Sequence, residues 1–326
     1  MKKKTYFTSL MLASLTIASQ SVLADNGFEF SLWGGRLSAD GSGDIPYARE
    51  TSTAPNRIID QDLGRDMAFG IALGVNMSNN WVVDLGYVNY HSKEKGHYDT
   101  NPAVVNSCTL RPVQGLQSDC YDNAGIKNDS KLQNFDAAIG KRFVMEKANI
   151  VAYGGLRYLK FNQNIDVAYH YTRPPSTPGF EEFPDRDLSY SGIGPRIGAK
   201  FNAPLGNSGF FVKGDLGLAK MLTGERKQKI VAPRTNAGVL ISTLTASDED
   251  SMRPLTLDAS LQLGYNLSQA AQISLGWRYS RVNDILDTRD TNSPAVAGTL
   301  PGPLGIGSAH EDFVNKGFFV EFNLRM

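Results

Sequence analysis

The feature that most constrains this chain is a side-chain period of two that returns along most of its length. In Trp81 to Tyr90 one face carries Trp81, Val83, Leu85 and Tyr87, and the other carries Val82, Asp84, Gly86 and Val88. Leu255, Leu257, Ala259, Leu261, Leu263 and Tyr265 repeat the pattern against Thr256, Asp258, Ser260, Gln262 and Gly264. Alternation of this kind makes a strand with one apolar and one polar face. Met67 to Met77 and Phe135 to Phe143 follow it closely, and Gly27 to Leu37, Asn149 to Phe161, Tyr190 to Phe201, Phe210 to Ala219 and Gln272 to Tyr279 less strictly. With the last segment, where Phe318, Val320, Phe322, Leu324 and Met326 share a face, the count reaches about ten strands. Each is close to the length of about 9–11 residues that a tilted membrane strand needs.

The connections alternate in length. Short turns are expected at 78–80, 145–147, 203–208 and 267–269, and long polar loops at 39–66, 91–131, 172–187, 231–253 and 283–312. Short on one side and long on the other is the pattern of an outer-membrane barrel. The expectation is therefore an all-β, transmembrane antiparallel β-barrel of about ten strands with long extracellular loops. Gly238 to Thr245 supplies a further candidate strand, so twelve is the alternative. A soluble β-sandwich also uses period-two strands. It would, however, have to bury Glu29, Asp84, Asp136, Arg142, Arg157, Arg196, Lys200, Lys213, Asp215, Asp258, Arg278 and Glu321, at several kcal/mol each unless paired. A wet lumen removes that cost.

The start of the chain points the same way. Lys2, Lys3 and Lys4 precede an apolar stretch from Tyr6 to Ile17, and Val22-Leu23-Ala24 suits a cut before Asp25. Residues 1–24 are read as a cleaved signal peptide and 25–326 as one barrel domain. The compartment is then the outer membrane of a Gram-negative cell. The full chain is neutral and the mature part close to −3, which gives no sign of nucleic-acid binding. Thirty-two Gly with 16 Phe and 13 Tyr fit many short strands better than a helical bundle.

The run Ser191-Gly-Ile-Gly-Pro-Arg-Ile-Gly198, followed by the strand Gly214-Asp-Leu-Gly-Leu218, resembles the major outer membrane protein family of Legionella. Ile273-Ser-Leu-Gly-Trp-Arg-Tyr-Ser-Arg281 is similar to that family's penultimate strand, and Phe28 to Leu37 to its opening one. The resemblance covers about half of the mature chain and implies a pore-forming outer membrane protein. The family's cysteine-rich cross-linking does not carry over to a chain with two cysteines. The Gly-X-Gly spacing is no dinucleotide loop, because a strand rather than a helix follows it. Instead Gly192, Gly194 and Gly198 share a face with Arg196 and Lys200 and leave room for a neighbour's long side chains.

The candidate site is the lumen. Asp84, Asp136, Arg142, Arg157, Arg196, Lys213, Asp215, Asp258 and Arg278 are expected to line it, as charge rings set selectivity in channels. The same charges could equally pair into a network that fills a ten-stranded barrel. Two functions follow, a porin-like pore for small hydrophilic solutes or ions or a non-conducting surface barrel acting as adhesin or structural protein, with an outer-membrane hydrolase as a further alternative. Outer-membrane lipid and lipopolysaccharide are the expected partners, with small solutes or ions and a surface ligand for the loops.

Cys108 and Cys120, in an oxidising compartment, suggest a disulfide within the second long loop. His91, Glu94, His97 and Asp99 have a spacing a metal could use, but they are read as a solvated loop, and no metal or cofactor is expected. His170 and His310-Glu311-Asp312 match no catalytic motif, so no enzyme is expected. Trp81, Tyr87, Phe210, Tyr265, Trp277 and Phe318 should form interfacial girdles.

Overall fold

A computed structural model of the protein describes residues 27–41, 45–50, 57–61, 63–99, 110–112, 123–170, 180–182, 185–236, 239–288 and 309–326. In chain order its strands are β1 (Phe28–Gly41), β2 (Ile45–Glu50), β3 (Arg57–Gln61), β4 (Arg65–Asn76), β5 (Trp81–Asp99), β6 (Leu110–Pro112), β7 (Asn123–Met145) and β8 (Ala148–His170). They continue as β9 (Phe180–Glu182), β10 (Asp185–Pro204), β11 (Phe210–Lys220), β12 (Thr223–Asn236), β13 (Val239–Ser251), β14 (Leu255–Asn266), β15 (Ala271–Thr288) and β16 (Ala309–Arg325).

Ten of these close into an antiparallel barrel in the order β1, β4, β5, β7, β8, β10, β11, β14, β15, β16 and back to β1. The seam between the first and last strands runs in register from Glu29 opposite Arg325 to Gly41 opposite Phe313. Tight turns join β4 to β5 through Ser78–Asn80, β7 to β8, β10 to β11 and β14 to β15, all at the end where β1 begins and β16 finishes. Outward side chains are the apolar ones. Phe69, Leu85, Ile139, Leu156, Ile197, Leu216, Leu263, Leu275 and Val320 are all exposed on the barrel's outside, where a bilayer would cover them. Trp81, Phe210 and Tyr265 lie among them at the short-turn end of the wall, and Trp277 farther up β15.

Two expectations are corrected. The stretch expected as a polar loop at 91–131 is strand at both ends, because β5 runs on to Asp99 and β7 begins at Asn123. Outside the bilayer the outward face turns polar, so the contrast between faces fades while inward Tyr90, Ser92, Ile126 and Leu132 keep the period. β7 and β8 reach 23 residues each, about 75 Å along the strand, far more than an apolar band of about 25 Å requires. The candidate strand at Gly238 to Thr245 exists as part of β13, but the barrel does not widen to twelve. β12 pairs with the outer half of β10, β13 pairs only with β12 among the described strands, and the hairpin prolongs the wall above β11. The expected loop at 231–253 is therefore largely this hairpin.

The long first connection also carries structure. β2 and β3 pair with each other, and β2 pairs with β6 from the second connection, making a small three-stranded sheet.

Candidate functional site

The barrel interior divides at Arg157. Its lower part, toward the short turns, holds a cavity of about 420 Å³ lined by Asp84, Asp136, Arg142, Arg196, Lys200, Lys213, Asp215, Arg278 and Glu321 among others. Period-two strands aim these charges inward, and the register pairs them across the space. Lys200 Nζ donates to Asp84 Oδ2 at 2.6 Å, Lys213 Nζ to Glu321 Oε1 at 2.7 Å, and Gln262 Nε2 to the other Glu321 oxygen at 3.0 Å. Arg142 donates to Asn76. Arg196 lies 3.3 Å from Asp136 and 3.9 Å from Asp215, with its guanidinium 4.9 Å over the Tyr153 ring. Tyr153 in turn donates to Asp215 at 2.8 Å, and Arg278 sits 5.0 Å over Trp33.

Glycine makes this packing possible. A Cβ on Gly198 would lie 2.4 Å from the Tyr153 hydroxyl, and one on Gly217 would lie 2.7 Å from the same oxygen and 2.8 Å from Arg196 Nη2. The bare backbone expected from the Gly-Ile-Gly-Pro-Arg-Ile-Gly run is thus occupied by a neighbour's tyrosine.

Arg157 forms the boundary. Its Nε and Nη2 grip both oxygens of Asp136 at 2.7 and 2.8 Å, and its Nη1 donates to Thr256 at 2.9 Å and to Asp258. Arg278 reaches Asp258 from below at 3.5 Å. Arg157 is 1% exposed and Asp258 5%. Neither lines the cavity, against the expectation that both line the lumen; here charge is tolerated inside because it is paired, bidentate and hydrogen-bonded.

Above Arg157 the interior is largely apolar, with Arg186 and Arg226 buried within it. Tyr90, Leu159, Phe161 and Phe313 are 0% exposed, with ring centroids 5.1 Å apart for Phe161 and Phe313 and 5.8 Å for Tyr90 and Phe313. Ile45, Tyr47, Ile59 and Leu63 from the first connection join this core. The wall clamps their backbone. Ser92 Oγ donates to the Leu63 carbonyl at 2.8 Å, Asn128 Nδ2 to the same oxygen at 3.5 Å, Tyr90 to the Gly64 carbonyl at 3.4 Å, and Tyr169 to the Tyr47 carbonyl. Sequence reasoning missed this plug. Its signal was present in Ile45 and Tyr47, and in Ile59 and Leu63, apolar residues inside a stretch taken for polar loop.

The other candidates separate. His91 and His97 point outward, to Asp129 at 2.8 Å and Asp99 at 3.0 Å, whereas Glu94 points inward and accepts the Arg65 backbone N–H at 3.3 Å. Among the described residues no group of three or more His, Cys, Asp or Glu could hold a metal. Partial burial pushes the Asp129 carboxyl up, but hydrogen bonds from Lys93 and His91 outweigh it and hold the group below the usual carboxylate range. Asp312 is engaged by Arg281 and by the Asp284 backbone N–H at 3.0 Å. Cys108 and Cys120, and the side chains of His170 and His310, lie outside what is described.

Solved barrels resemble the chain only distantly. The outer membrane protease OmpT from Escherichia coli shares 11% identity over 94% of this chain and 98% of its own, with a TM-score of 0.43. A major outer membrane protein from Thermus thermophilus shares 11% over 93% and 100%, at 0.36. Ail, the attachment invasion locus protein of Yersinia pestis, solved with the heparin analogue sucrose octasulfate, shares 11% over 92% and 99%, at 0.26. None of these likenesses bears on activity. No curated protein matches the chain. The family model described as Legionella pneumophila major outer membrane protein precursor matches residues 37–326, most of the chain and every strand of the barrel after the start of β1. A closed ten-stranded barrel with an apolar outside and that match places the protein in the outer membrane, and the chain belongs to the Legionella major outer membrane protein family.

Proposed function

We propose that the protein is a closed outer-membrane barrel that serves as a structural and surface-presenting protein, with an interior devoted to stability rather than to free diffusion. The observation that carries this reading is the dry layer above Arg157, where inward Tyr90, Phe161 and Phe313 are 0% exposed and packed against the first connection. A continuous water column would wet the inward side chains at every level. Residues 1–24 are removed on export in this reading, and Cys108 and Cys120 close an external loop. Lipopolysaccharide surrounds the wall, and the outer loops meet any surface ligand.

A second reading is favoured by the charged cavity. A pore for small hydrophilic solutes or ions would use Asp84, Asp136, Arg142, Arg196, Lys213, Asp215 and Arg278 as its inner vestibule, with Arg157 and Asp258 at its upper limit. Single-channel recording of the refolded mature chain in a planar bilayer separates the two. Absence of discrete steps from a heat-modifiable, folded barrel supports the closed reading. Reproducible steps overturn it, and Arg196→Ser and Arg278→Ser then shift the reversal potential in a salt gradient toward cation preference.

A further inference from the structure

The outside of the wall is not uniform above the apolar band. On β5, β7 and β8 the outward positions just beyond it are His91, Lys93 and Lys95, then Lys127, Asp129 and Lys131, then Lys160. Register sets them side by side: His91 faces Lys131, Lys95 faces Lys127, and Lys160 faces Gln133, one outward position below Lys131. Like charges directly across a strand pair repel. Lys127 faces Asp166 on β8, yet Lys95, Lys127, Lys131 and Lys160 have no carboxylate within ion-pair distance among the described residues, and Asp129 is already held by His91 and Lys93. At the same level elsewhere the wall neutralises itself. Lys227 meets Glu225 at 3.2 Å and Glu249 at 3.4 Å, and Arg281 meets Asp312.

The height of the lysines matters as much as their number. From Phe143 at the inner edge to Lys131 is 12 residues on β7, about 30 Å of rise at a tilt of about 40°. That is just past an apolar band of about 25 Å. Directly beneath the lysines, exposed Phe135 on β7 and Leu156 and Tyr158 on β8 offer an apolar ledge. A soluble anion needs the lysines but not the ledge; an amphiphile with a phosphorylated headgroup needs both.

We propose that the outer face of β5, β7 and β8 is a binding site for a phosphorylated outer-leaflet glycolipid of the lipid A type, its phosphates on Lys127, Lys131 and Lys160 and its acyl chains on Phe135, Leu156 and Tyr158. The site stands whether or not the lumen conducts.

Native mass spectrometry of the folded full-length chain, titrated with bisphosphorylated lipid A, with its dephosphorylated form and with inorganic pyrophosphate, tests this. The bisphosphorylated lipid should bind at least tenfold tighter than either of the other two. The variant K127Q/K131Q/K160Q should weaken it about a hundredfold, while K227Q/K229Q, two strands along the wall on β12, should change it less than twofold. Should the triple variant lose heat-modifiable folding, Lys131→Gln alone should still weaken binding about fivefold. Equal binding of the dephosphorylated lipid, binding of pyrophosphate as tight as the lipid, or a loss in the lysine variants no larger than that in K227Q/K229Q would overturn the site.

Discussion

Below Arg157 the interior is charged and open to water; above it the interior is largely apolar and dry, the wall there continuing at the same alternation with the β12–β13 hairpin in place of β11. What differs is how each half answers the cost of burial. The lower half meets every inward charge with a partner across the space, as Lys200 does with Asp84 and Lys213 with Glu321. The upper half keeps few charges, Arg186 and Arg226 among them, and recruits Ile45, Tyr47, Ile59 and Leu63 from a connecting segment to fill the remaining volume. Barrel geometry alone therefore does not dictate a channel; side-chain volume at each level does.

The comparison breaks most sharply at the boundary. Arg157→Ala would take from Asp136 its bidentate partner and from Asp258, 5% exposed, its closest cation, and should destabilise the barrel by about 3–5 kcal/mol, read as a lower urea midpoint in lipid vesicles. An unchanged midpoint would mean that water enters this level after all. In the dry half, Phe313→Ala removes a ring shared by Tyr90 and Phe161 and should cost about 3 kcal/mol by the same measurement. In the wet half the effects are small. Lys200 and Asp84 are 37% and 22% exposed, so Lys200→Met should cost less than about 1 kcal/mol, and a loss as large as that of Phe313→Ala would erase the distinction between the halves.

The smallest effect lies outside the barrel interior. Because the Asp129 carboxyl titrates below its ordinary range in the folded state, its contribution is present above the usual carboxylate pKa and is lost as pH falls through the lowered value. Asp129→Asn should therefore flatten the acid limb of the stability curve below about pH 4 and leave pH 7 to 8 parallel to wild type. A divergence confined to neutral pH would overturn this assignment.

The sequence made the membrane part of the fold legible because lipid on one side and a polar interior on the other enforce unlike faces, as in Leu255 to Tyr265. Where water lies outside, that enforcement ends. His91 to Asp99 and Asn123 to Lys131 lost their contrast and read as loop, although their inward residues kept the period. Inward charges were legible one by one, including Arg157, Arg196 and Arg278. Their partners were not, since Arg157 and Asp258 are separated by 101 positions and meet only through the closure of the barrel. The plug was hidden for a related reason: Tyr47 and Leu63 are apolar residues whose burial depends on strands up to 122 positions away.

The seam between β1 and β16 joins residues nearly 300 positions apart, such as Glu29 and Arg325. Loop-closure entropy makes such a pairing late. Until it forms, the nine neighbouring pairings leave a curved sheet with two bare edges, each able to template another chain. The hydrophobic ledge on β16, from Phe318 to Phe322, is exposed for the whole of that interval. Assembly of this protein is thus a race between zipping its own margins together and lending them to a stranger. An escort that occupies either margin during transit would win that race without touching the finished barrel.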